Sequence, residues 1–115
     1  MGVEVETIGE SVAVARVRGE IDMSTVRALA EGVLPVAETG PAGLIVDLSA
    51  VSFMGAAGLH LLEQVQTALR RRGGSLAVVA PGGIPRRVLE VTRLEEALGV
   101  VATVEAAHAV LGGER

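Results

Sequence analysis

The chain has 115 residues and no cysteine, which excludes disulfides, thiolate metal sites and cysteine nucleophiles. Half of it is hydrophobic, yet Phe53 is its only aromatic residue, so a core must be built from Val, Leu, Ile and Ala. The formal net charge of -4 argues against general nucleic-acid binding, and all ten basic residues are Arg, which removes the lysine of a phosphate-binding P-loop and lysine-based catalysis.

This length fits one domain spanning 1–115 with a real core. No apolar run approaches the roughly 20 residues needed to cross a bilayer. The start Met1-Gly2-Val3-Glu4 lacks the basic residues and apolar stretch of a signal peptide. A cytoplasmic protein without membrane insertion is the expectation.

Alternation over Val3–Ile8 predicts an edge strand, and Gly9-Glu10 a turn. A second strand carries Val12, Val14 and Val17 and completes a hairpin, after which Gly19–Asp22 leaves the sheet. Asp22 or Ser24 can cap the helix that follows, whose stripe is Val26, Leu29, Ala30, Val33 and Leu34. Pro35 should end or kink it. Gly40-Pro41-Ala42-Gly43 then loops into a short apolar strand, Leu44–Leu48, of the kind covered on both faces.

Beyond that strand the period changes. A compact turn ends in Gly55-Ala56-Ala57-Gly58, and from Gly58 the apolar residues Leu61, Leu62, Val65 and Leu69 fall on one helical stripe. The turn stands at a helix N-terminus, where free N–H groups and the dipole favour anions. Two readings stay open here: a docking or anion site, or small residues needed for tight strand–helix packing. Ala56, His60, Glu63 and Thr67 share the face opposite the apolar stripe, and Leu59 lies at the boundary as a half-exposed anchor.

Arg70-Arg71-Arg72-Gly73-Gly74 reads as a helix C-terminus rather than a nucleic-acid patch, because arginine complements the dipole and glycine suits the left-handed cap. Ser75–Ala80 is a strand, Pro81-Gly82-Gly83-Ile84-Pro85 a loop and Arg86–Thr92 a short helix. Leu94 and Leu98 pack a further turn, Val100–Thr103 forms the last strand and Glu105–Leu111 a terminal helix, with a frayed end at 112–115. Strands alternating with helices after a hairpin predict an α/β fold: a mixed central sheet packed by about four helices.

Catalytic chemistry finds no support. His60 and His108 lie on different predicted elements with no third ligand to complete a metal site. No serine has an identifiable base beside it. We assign no catalytic residue, no metal and no cofactor.

The segment Val46-Asp47-Leu48-Ser49-Ala50-Val51-Ser52-Phe53-Met54-Gly55-Ala56-Ala57-Gly58-Leu59 resembles the signature of the STAS domain, the family of bacterial anti-sigma factor antagonists. Members read Asp-Leu-Ser, a hydrophobic turn, then Asp-Ser-Ser-Gly-Leu. Gly19-Glu20-Ile21-Asp22 is similar to the family's Gly-Glu-Leu-Asp. The resemblance implies a STAS fold and a non-enzymatic protein that binds an anti-sigma factor, typically a histidine-kinase-like ATP-binding protein, and so frees a sigma factor for transcription. It implies a partner surface at Asp22, Met23, Ser24, Gly55, Ala56, Ala57, Gly58, Leu59, His60, Glu63 and Gln64, and a structural rather than catalytic Asp47. One departure matters: the family's phosphorylated serine is here Ala56, and the acidic residue before it is Gly55. Two other functions stay open, a STAS module in a sensory or transporter-associated complex and a small-ligand or nucleotide binder. Self-association is also open.

Overall fold

The computed structural model describes residues 1–113. Its elements in order are β1 (Gly2–Ile8), β2 (Val12–Ile21), α1 (Val26–Thr39), β3 (Gly43–Met54), α2 (Ala56–Arg71), β4 (Ser75–Val79), α3 (Gly83–Val91), β5 (Val100–Val101) and α4 (Val104–His108), followed by a π-helical turn at Ala109–Gly113. The strands form one sheet in the order β1-β2-β3-β4-β5. β1 pairs antiparallel with β2, and the remaining pairs are parallel, so the sheet is mixed as expected.

Alternation along the strands divides the core. Ala13, Ala15, Val17, Leu44, Val46 and Val78 face a layer contributed by Leu29 and Val33 of α1, Leu61, Leu62 and Val65 of α2, and Leu89 of α3. Val12, Val14, Ile45, Ala77 and Val79 face the other way, onto Ala107 of α4. The long amphipathic helices thus cover one face and the short terminal helix covers part of the other.

Several elements depart from the sequence reading. β2 does not leave the sheet at Gly19 but runs to Ile21. β3 does not turn after Leu48 but runs to Met54, so the expected hydrophobic turn is strand. The cause lies in the register. Arg16 pairs with Asp47 but Arg18 with Ala50, and Gly19 pairs with Val51 but Glu20 with Phe53, so β3 accommodates two residues more than β2. Gly19 sits at this irregularity with φ +102, a conformation that side-chain-bearing residues rarely adopt. The same shifts space the inward residues Leu48, Val51 and Met54 three apart, which hides the strand's period of two.

Pro35 neither ends α1 nor stops it short of Thr39. It is exposed, so its ring faces solvent, while the buried stripe continues past it to Ala37. α3 begins at Gly83 rather than Arg86 and takes Pro85 into its first turn, where a missing N–H costs little. β5 is only two residues long, and the terminal helix is α4 plus the π-helical turn. Of the end expected to fray, Gly112 and Gly113 belong to that turn, and 114–115 lie outside the described residues.

The arginine run at the end of α2 has a structural use. Arg72 donates to the carbonyls of Ala37 (3.1 Å) and Pro41 (3.4 Å) and also to Gly40, satisfying orphan acceptors at the C-terminus of α1. Gly73, at φ +77, closes α2.

Candidate functional site

Residues from the two sequence motifs meet where β2 ends and α2 begins. The Gly55 amide donates to the Ile21 carbonyl at 2.9 Å, bringing the segment after β2 beside the first turn of α2. The Gly58 amide turns back to the Gly55 carbonyl at 3.0 Å. Gly55 is the N-cap and Ala56 the first residue of α2, with no side-chain cap.

The segment after β2 is held by its own polar side chains. Asp22 Oδ1 accepts from the Ser24 amide (2.9 Å), the Ser24 hydroxyl (2.7 Å) and the Thr25 amide (3.1 Å). These bonds, the Ser24 hydroxyl foremost, stabilise the charged form and hold the Asp22 carboxyl below its ordinary range. Asp22 therefore closes a turn of its own instead of capping α1, as the sequence had suggested for it or Ser24. The N-cap position belongs to Thr25, which makes no side-chain capping bond. Its hydroxyl donates to the Glu20 carbonyl at 2.7 Å and accepts the Asp22 amide at 3.0 Å, tying the turn to the end of β2. Sequence reading missed Thr25, although a Thr beside Asp and Ser in a turn is a recognisable signal.

Between these segments lies a surface depression of about 450 Å3, lined by Asp22, Met23, Gly55, Ala56, Ala57 and His60. Each of the six is among the residues expected to face a partner. Ser24 stands in the same turn, exposed. Glu63 and Gln64 are exposed one turn further along α2, on a groove between α1 and α2 that His60 shares with the depression.

Two expected residues do not reach the surface. Leu59 is 9% exposed and belongs to the core, so it is no half-exposed anchor. Gly58 is buried on the inner face of α2, and a Cβ placed there would stand 2.6 Å from Met54 Cγ and 3.0 Å from Ile21 Cγ2. For Gly58 the packing explanation applies. In exchange, the structure adds Phe53. It is 43% exposed, with its ring beside Gly55. The signal for it was the chain's only aromatic residue, two positions before the turn.

Asp47 lies within β3, where its carboxylate accepts from the Ser49 amide (2.9 Å) and hydroxyl (2.6 Å), a structural arrangement. His60 and His108 stand on helices that pack against opposite faces of the sheet. Among the described residues no three His, Asp or Glu side chains are grouped to hold a metal ion, and no helix is long and apolar enough to cross a membrane.

A hairpin followed by parallel strands, with the start of α2 set against the end of β2, defines the class. The STAS domain family matches residues 3–107, and the chain belongs to that family. An anti-sigma-F factor antagonist, RsfB, from Mycobacterium tuberculosis is 35% identical over 104 residues, covering 90% of this chain and 82% of the relative. An anti-sigma-B factor antagonist from Staphylococcus aureus is 31% identical over 85 residues, covering 74% of this chain and 79% of the relative. The crystal structure of an anti-sigma factor antagonist from Mycobacterium paratuberculosis superposes with a TM-score of 0.88 at 34% identity, covering 96% of this chain and 92% of that one.

Proposed function

We propose that this protein is a cytoplasmic, non-enzymatic anti-sigma factor antagonist. It binds an anti-sigma factor of the histidine-kinase-like ATP-binding class through the Asp22–Ser24 turn and the outer face of α2's first turns, and so releases a sigma factor for transcription. The observation that carries this reading is the convergence of both motifs on one depression beside Ala56. The names of the relatives with 31–35% identity support it.

The depression suits docking better than chemistry. Gly55, Ala56 and Ala57 contribute only backbone and methyl groups to its lining, so another protein can approach closely there. Its one carboxylate, on Asp22, is occupied within its own turn. At Ala56 there is no hydroxyl to accept phosphate. The phosphorylation that would add about -1.5 to -2 charges at this surface has no acceptor there, so docking is constitutive with respect to that position.

The test is direct. The purified protein is titrated into purified complexes of sigma factors with their anti-sigma factors from its own host, and free sigma factor is measured. Release by one such complex in a stoichiometric titration supports the reading. Binding to a sensory or transporter-associated assembly, with no release from any complex, contradicts it.

A further inference from the structure

The three methionines occupy three depths. Met54 is 1% exposed beneath α2, Met1 is 43% exposed and Met23 is 88% exposed. Met23 is the most exposed large apolar side chain among the described residues, and it lines the depression with Ala56 and His60. An unbranched thioether adapts to an irregular partner surface, which gives such exposure a use at a docking site. It is also the most readily oxidised group in the depression, since the chain has no cysteine.

Resting on the docking function above, we propose that Met23 is a modification site, at which a peroxide converts the thioether to the sulfoxide and thereby weakens partner docking. The surface where Ala56 offers no hydroxyl for phosphate would then carry a redox switch instead. In the reaction a sulfur lone pair attacks one peroxide oxygen. The S–O bond forms as the O–O bond breaks, sulfur is oxidised by two electrons and the peroxide reduced by two, and the second oxygen of hydrogen peroxide leaves as hydroxide, which takes the proton from the transferred oxygen and departs as water. The product is polar and chiral. Its oxygen would lose water when carried into an apolar contact, and that desolvation opposes binding. The difference in exposure supplies the selectivity. Met54, packed against Gly58 in the core, is shielded at peroxide doses that convert Met23.

The experiment treats the full chain with limiting hydrogen peroxide and locates the added oxygen by peptide mass. Affinity for the anti-sigma factor is then compared before and after treatment, for the native protein and for Met23→Leu. We expect oxidation of Met23 ahead of Met54 and a fall in native affinity of about tenfold or more, the size of a lost interface anchor. Methionine sulfoxide reductase should restore it. For Met23→Leu the ratio of treated to untreated affinity should be one, whatever its starting affinity. Unchanged affinity with Met23 fully oxidised overturns the inference while leaving the docking function standing. An equal loss in treated Met23→Leu also overturns it, because the damage would lie elsewhere. An untreated protein that binds no anti-sigma factor overturns the docking function, and this inference with it.

Discussion

The Gly55 amide and the Ile21 carbonyl, 2.9 Å apart, join two stretches of chain separated by a helix and a strand. That bond sets the turn at Asp22 beside the first residues of α2. The depression is therefore a product of sheet register, since β2 and β3 remain paired to their last residues, Ile21 and Met54.

Gly58→Ala tests how tightly this junction is packed. Helix propensity alone would favour alanine by up to about 1 kcal/mol. Against that stands the approach of a new Cβ to 2.6 Å from Met54 Cγ and 3.0 Å from Ile21 Cγ2. Overpacking of this kind costs about 1–3 kcal/mol, so chemical denaturation should show a net loss. A more stable variant would mean that Met54 moves aside freely.

The Asp22 turn predicts a pH dependence of definite sign. The Ser24 hydroxyl first, and the Ser24 and Thr25 amides with it, outweigh desolvation and hold the carboxyl below its ordinary range in the folded protein. A lowered folded value means the stabilisation is complete above the unfolded pKa and is lost as pH falls through the folded one. In an NMR titration of the Asp22 carboxyl carbon, Ser24→Ala should raise the midpoint relative to the native protein. Identical midpoints would remove the hydroxyl as the leading cause.

Ala56 predicts a negative result with a positive control. Incubation with ATP and an anti-sigma kinase should leave the intact mass unchanged, whereas Ala56→Ser restores a hydroxyl on the first residue of α2. A phosphate on the native protein mapping to Ser49 or Ser52 would contradict the expectation and place a phosphorylation site elsewhere on the chain. Both serines are exposed on β3, close in sequence to the turn.

Much of this architecture was legible because its signals were local. The hairpin strands and the apolar stripes of α1 and α2 follow from periodicity, and the turns from their glycines. What escaped reading depended on tertiary context. Leu48, Val51 and Met54 fall three apart because β3 carries two extra residues opposite β2, and no window of one strand reveals its partner's register. A proline at position 35 predicts an end or a kink in the helix, yet α1 does not end there, because Pro35 sits on the solvent side while the buried stripe continues to Ala37. At the candidate site, Asp22, Ala56 and Ala57 lie within the two family motifs, and Met23 and His60 directly follow them in sequence. Leu59 was misplaced because a residue at the edge of a helical stripe is exposed or buried according to what packs beside it.

Ala56→Glu tests the docking function most directly. Ala56 is exposed, and a carboxylate in the first turn of a helix is favourable to the dipole by about 0.3–1 kcal/mol, so the variant should melt no lower than the native protein. In an interface the same charge is buried without a partner, which is costly. Calorimetric affinity for the anti-sigma factor, measured beside thermal stability, should fall about tenfold or more while the fold is retained. Native affinity in a folded Ala56→Glu protein would place the interface elsewhere and contradict the proposed function.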